Sequence, residues 1–155
     1  MKLAVFSDSH GRPDAMLRAV KHHSPDMIIH LGDGGTDVDR IKDQFPQTPL
    51  KAVKGNCDFN SALPEIELFD IGKVKILITH GHLFGVKRNL SSLIERAIGL
   101  EADIVMYGHT HIADYFKVGK LNILNPGTCG YSPSASFAEV TISDSGEILC
   151  RILKL

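Results

Sequence analysis

The chain has no excess of charge of either sign. Lys and Arg number 17, Asp and Glu 18, and the formal net charge is -1. No basic face follows, so generic electrostatic binding to nucleic acid is not expected. Cysteine is scarce. Cys57, Cys129 and Cys150 fit neither a disulfide framework nor a thiolate metal spacing. Long apolar runs are missing too, and none is long enough to span a membrane. No signal peptide is read at the start, where Met1-Lys2 runs straight into an apolar segment. These features point to reduced thiols in a cytosolic protein. There is no internal repeat, low-complexity stretch or linker, so residues 1–155 make one domain. A domain of that size buries roughly two-thirds of its chain surface, enough for a true core. A monomer and a homo-oligomer both stay open.

What the chain does have is histidine, eight in all, several of them beside glycine. Gly108-His109-Thr110-His111 follows Asp103-Ile104-Val105-Met106-Tyr107, an apolar run of buried-strand type. Two imidazoles one residue apart can face a shared cleft, and the loop after Gly108 frees the rest of the geometry. Neutral imidazole is the commonest metal-binding side chain. Taken alone, the pair could equally be two loop histidines.

Other strand ends repeat the pattern. Lys2-Leu3-Ala4-Val5-Phe6-Ser7 ends in Asp8-Ser9-His10-Gly11, where the i, i+2 spacing lets Asp8 and His10 share a cleft. Asp8 could instead cap the helix expected from Pro13, whose last turn holds Lys21, His22 and His23. Asp26-Met27-Ile28-Ile29-His30-Leu31 ends in Gly32-Asp33-Gly34-Gly35. A carboxylate has two oxygens, so Asp33 can bridge two ions, or it can cap the helix expected over Thr36 to Phe45. His30 reads as a packed side chain. Leu50-Lys51-Ala52-Val53-Lys54 ends in Gly55-Asn56-Cys57-Asp58, where Asn56 offers a carbonyl oxygen or simply takes a left-handed turn.

Two antiparallel strands flank Gly72-Lys73, and the second ends in Thr79-His80-Gly81-His82. His80 is the better ligand candidate, with His82 beside it or facing substrate. Lys87 and Arg88 read as solvated charge near the cleft. Leu90, Leu93, Ile94, Ala97 and Ile98 give a helical stripe. After Gly108 four strand-like segments follow with no helix between them. The first half therefore reads βαβαβ with a largely parallel sheet, and the last third as an antiparallel meander. Asn125-Pro126-Gly127-Thr128 is a tight loop able to return toward the site.

Read in order, Asp8-Ser9-His10, Gly32-Asp33, Gly55-Asn56-Cys57-Asp58, His80 and Gly108-His109-Thr110-His111 resemble the calcineurin-like metallophosphoesterase superfamily. All five of its blocks occur in order. The length, and Asn125-Pro126-Gly127-Thr128, resemble its small single-domain bacterial and archaeal phosphodiesterases. The resemblance implies an α/β fold, a two-sheet β-sandwich flanked by helices, with a metal site at strand C-terminal ends. It implies two divalent ions, Mn first and Fe, Ni, Zn or Mg as alternatives. Asp8, His10 and His111 would hold one ion, Asn56, His80 and His109 the other, and Asp33 would bridge them. A metal-bridging hydroxide would then attack a small phosphoester substrate, with Asn56, Cys57, Asp58 and His80 as the catalytic group.

Two departures matter. The family's third block usually has His where this chain has Cys57, and a thiol is a poorer acid near neutral pH. Asp58 would orient its neighbours rather than transfer a proton. Relatives often place an Arg in the segment after Gly127, and none stands there. The expected function is a metal-dependent phosphodiesterase. The alternatives are a phosphomonoesterase, which needs a cationic pocket, and a non-catalytic scaffold like the superfamily's retromer subunit.

Overall fold

The first apolar run becomes β1 (Lys2–Phe6), and its alternation sets the layers of the molecule. Leu3 and Val5 pack inward with Ile29, Ile76 and Ile104, while Ala4 and Phe6 pack outward with Met16 and Val20. A strand covered on both faces reads as a continuous apolar run because successive side chains point opposite ways. β1 pairs in parallel with β2 (Met27–His30), and β2 with β3 (Leu50–Ala52). Helices α1 (Asp14–His23) and α2 (Gly35–Gln44) make the crossovers and cover the outer face through Met16, Leu17, Val20 and Ile41. In this computed structural model residues 1–130 and 132–155 are described; Tyr131, in the segment after Gly127, lies outside them.

The second sheet starts with the hairpin β4 (Ile66–Ile71) and β5 (Val74–Thr79), turning at Gly72-Lys73. Helix α3 (Ser91–Gly99) leads to β6 (Ile104–Met106), which pairs in parallel with β5. Two more strands, β7 (Asp114–Val118) and β8 (Leu121–Asn125), complete the order β4-β5-β6-β8-β7. The first sheet is completed by β9 (Ser136–Ile142) and β10 (Ile148–Lys154), in the order β10-β9-β1-β2-β3. Leu93 and Ala97 of α3 cover the outer face of the second sheet. The layers are thus helices, sheet, sheet, helix: the expected sandwich.

The antiparallel meander expected of the last third does not form. β8 inserts in parallel beside β6, and only its hairpin partner β7 is antiparallel to it. β9 crosses to the first sheet and runs antiparallel to β1, with β10 outside it. Strand period records which faces are buried, not which strand lies alongside. Ile98 also departs from its helical stripe: it is 56% exposed, because α3 meets the sheet along Leu93 and Ala97. Among the described residues no helix is long and apolar enough to cross a membrane.

Candidate metal centre

Backbone pairing continues past the strand ends and lays the loops side by side. Asp8 N donates to Gly32 O at 3.0 Å and His10 N to Asp33 O at 3.0 Å; in the other sheet Gly108 N donates to His80 O at 3.1 Å. The chain then turns sharply. Asp8, His10, Asp33, His109 and His111 all have positive φ, from 49° to 69°. Ser24 and Glu101 are the other described non-glycine residues that do. The left-handed region costs such residues of order 1 kcal/mol or more, and it clusters at functional sites. Paired left-handed turns, rather than strand alternation, bring the i, i+2 residues together.

Their side chains form two groups. Asp8, His10 and His111 offer donor atoms within 4.8 Å of one another, and so do Asp33, His80 and His109. A third group, His10, Asp33 and Cys57, joins the two, so Asp33 faces both. His10 Nε2 lies 3.4 Å from His111 Nε2, and His80 Nε2 lies 3.1 Å from His109 Nδ1. Asp33 Oδ2 is 3.3 Å from His80 Nε2. Asp8 Oδ1 is buried and has no hydrogen-bond partner among the described residues. His111 Nε2 stands 3.1 Å from it, and His10 and His80 Nε2 each 3.9 Å. A buried carboxylate oxygen left this way costs several kcal/mol unless a cation offsets it. Mixed imidazole and carboxylate donors converging on it fit divalent ions.

A supporting layer holds the donors. Asp8 Oδ2 accepts from Ser7 Oγ at 2.5 Å and from His109 N at 3.1 Å, which leaves Oδ1 for the cluster. His80 Nδ1 lies 2.7 Å from Leu31 O; donation there leaves Nε2 as the lone-pair nitrogen facing the site. Cys57 N donates to Asp33 Oδ1 at 2.8 Å. Both oxygens of Asp58 are taken up by backbone N–H groups of Asp33, Gly34, Gly35 and Gly55, at 2.8 to 3.1 Å. Asp58 therefore caps α2 from another loop, and neither Asp8 nor Asp33 caps a helix. Close approach demands glycine at Gly55 and Gly108: a Cβ would stand 2.0 Å from Asp33 Oδ1 at the first and 1.9 Å from Ser7 Oγ at the second. The loop after β8 does return. Asn125 Nδ2 donates to Gly108 O, and Thr128 Oγ1 to Asp8 O.

Asn56 is exposed, and its amide nitrogen donates to Cys57 Sγ at 3.3 Å. Cys57 is exposed beside Asp33. His82 stands with its ring 5.5 Å from that of His80, and Lys87 and Arg88 lie in solvent. Sequence reasoning passed over Ser7 and Asp37 and gave His30 no polar role. His30 Nε2 meets Ser9 Oγ at 3.2 Å, and Ser9 Oγ donates to Asp37 Oδ2 at 2.5 Å. Gly11 N donates to the same Asp37 oxygen. A histidine inside an apolar run was the signal, since a buried ring needs partners for both nitrogens.

The electrostatics follow from this packing. Burial works against the Asp33 carboxylate, but His80 and the Cys57 N–H prevail and hold its carboxyl well below the ordinary range. Burial likewise disfavours a charged His80, yet Asp33 and Asp8 outweigh it and raise its pKa. His109 is lowered by burial and by His80, which favours the neutral, ligating form. Burial and the neighbouring Asp33 push the Cys57 thiol up.

Comparison with known proteins places the chain in a family. Residues 1–145 match the model of the calcineurin-like phosphoesterase superfamily domain. A protein of Bacillus subtilis named probable metallophosphoesterase YsnB is 39% identical over 132 residues, 83% of this chain and 75% of its own length. The phosphodiesterase YfcE of Escherichia coli is 28% identical, over 83% of this chain and 79% of its own. Among solved structures, Vps29 of Entamoeba histolytica complexed with zinc has a TM-score of 0.79 and 26% identity, covering 99% of this chain and 98% of that one.

Proposed function

Because the chain belongs to the calcineurin-like phosphoesterase superfamily, we propose that it hydrolyses phosphoric esters, phosphodiesters first, at a centre of two divalent cations. The observation that carries this is the pair of donor groups joined through Asp33, with Asp8 Oδ1 buried and unpartnered between imidazoles. Asp8, His10 and His111 would hold one ion; Asn56, His80 and His109 the other; Asp33 faces both. Manganese is the first choice, and iron, nickel, zinc and magnesium suit the same nitrogen and oxygen donors. When bound, such a pair screens the phosphoryl oxygens and lowers the pKa of a shared water, so that hydroxide is available near neutral pH.

The chain's own residues supply positioning. Leu31 O fixes the His80 tautomer, and Ser7 and the His109 N–H aim Asp8 by occupying its other oxygen. Asp58 ties the Asp33 and Asn56 loops together. Cys57 stands where the family's usual imidazole stands, and its raised pKa keeps it a protonated but weak acid. The site therefore suits leaving groups that depart with little protonation. The diester is placed first because relatives such as YfcE of Escherichia coli are named phosphodiesterases. Similarity to Vps29 over the whole chain supports a scaffold as the second reading. Three free thiols support a reducing compartment, the cytoplasm.

The test is metal analysis with turnover. Chelator-stripped protein reconstituted with manganese should carry about two ions per chain and hydrolyse bis(p-nitrophenyl) phosphate, with activity lost to chelator and restored by metal. Fewer than one ion per folded chain would overturn the dinuclear centre, and loaded protein without turnover would favour the scaffold. Asp33→Asn should cost more activity than His10→Ala at saturating manganese, because it weakens both ions. The reverse order would remove Asp33 from the bridging role.

A further inference from the structure

Between the loop after β3 and the start of α2 lies a cleft of about 710 Å³. His10, Asp33 and Cys57 line it, and their donor atoms lie within 4.8 Å of one another, so the cleft opens directly on the metal centre. Its volume suits a small-molecule ligand. Phe59 lines the same cleft and is 89% exposed, the most exposed of the large hydrophobic side chains described. That exposure is imposed by the loop. Asp58 is fixed by four backbone N–H groups, and Ser61 N donates to Asp58 O at 3.1 Å, closing the turn that carries Phe59. The ring is therefore presented on an anchored turn. Leu63 and Val38 add apolar surface to the same cleft.

We propose that this cleft takes a planar aromatic arm of the ester, of the nucleobase class, with Phe59 as its stacking face. An aromatic ring offers a flat apolar surface to any base, and such stacking changes affinity by roughly fivefold to a hundredfold per base. A phosphate held at the metal centre and a ring on Phe59 describe a nucleotide ester rather than an alkyl or sugar ester. The proposal rests on the phosphoesterase reading for the phosphate, while the aromatic arm is tested separately.

The chain has no tryptophan, so Phe59→Trp installs a lone tryptophan at the cleft. In the manganese-loaded protein, excited at 295 nm, adenosine 5′-monophosphate should quench it saturably and ribose 5-phosphate should not. Absence of quenching, or equal effects of the two, would overturn the proposal. A second measurement uses the two compounds as competitive inhibitors of ester hydrolysis. Phe59→Ala should raise the inhibition constant of adenosine 5′-monophosphate at least about fivefold relative to that of ribose 5-phosphate, and Phe59→Tyr should keep most of the difference. Parallel changes in both constants would count against stacking. Nucleotide-specific quenching without any turnover would sink the hydrolase reading and leave the aromatic subsite standing; turnover without such quenching would do the opposite.

Discussion

The two oxygens of Asp8 have opposite surroundings. One accepts from Ser7 Oγ and the His109 N–H; the other is buried with imidazoles around it and no hydrogen bond. Such division of labour within one carboxylate is how a protein aims a charge at a cation. Cys57 shows the complementary case, a group whose environment weakens it. Burial and the Asp33 carboxylate raise the thiol's pKa, so it gives up its proton reluctantly. Cys57→Ala should then leave both an aryl and an alkyl diester within a few-fold of their normal kcat/KM, whereas a selective loss of about tenfold or more on the alkyl ester would show that the thiol does donate its proton. Equal losses on the two substrates would exclude proton donation by Cys57. The donor types at these positions were legible from the chain because a ligand's chemistry resides in its side chain. The left-handed backbone at Asp8, His10, Asp33, His109 and His111 was not. Nothing in the residue types distinguishes a strained turn from an ordinary one.

Among the elements, the strand-end loops depend on partners distant in sequence. Asp58 accepts from the N–H groups that open α2 and from Gly55, so one carboxylate ties the loop after β2 to the loop after β3. Asp58→Ala should lower stability by about 2–3 kcal/mol, read as a lower urea midpoint at unchanged slope. It should also weaken manganese binding, with activity partly regained in excess metal. An unaltered midpoint would mean that water replaces the carboxylate without loss. The strands and helices themselves were readable, since Leu3-Ala4-Val5-Phe6 and the α3 stripe carry their period in the residues. The destinations of β8 and β9 were not. β8 is buried along its whole length, which shows that it lies inside a sheet but not that β6 is its neighbour. β9 pairs Thr141 with Lys2, from the other end of the chain, and no local pattern encodes that closure.

Taken as one folding unit, the molecule gains from His30 a contribution to stability whose pH dependence has a definite sign. His30 is fully buried, and burial lowers its pKa from 6.5 to about 4, against a smaller opposing pull from Asp8, Asp58 and Asp37. Its ring is neutral in the folded chain, and the unfolded chain takes up the proton first. Stability from this group is therefore complete above about pH 6.5 and is lost as pH falls toward 4, by roughly 3 kcal/mol in all. Urea unfolding of metal-free protein between pH 7.5 and 4 should show that decline, and His30→Gln should flatten it by a similar amount. Parallel pH profiles for the two proteins would assign the loss elsewhere.

The donor groups also straddle the sandwich. Asp8 and His10 follow β1, whereas His111 follows β6; Asp33 follows β2, whereas His80 and His109 follow β5 and β6. Each ion would thus clip one sheet to the other, across a long stretch of intervening chain. In polymer terms it is a reversible cross-link, of the kind that restricts the unfolded chain more as the enclosed loop lengthens. With both ions bound, the sheets could not part without surrendering them, so metal supply would set how long the fold survives as well as how fast it works. A metal-starved molecule would open more often and meet proteases sooner, and persistence would follow the same cations as catalysis.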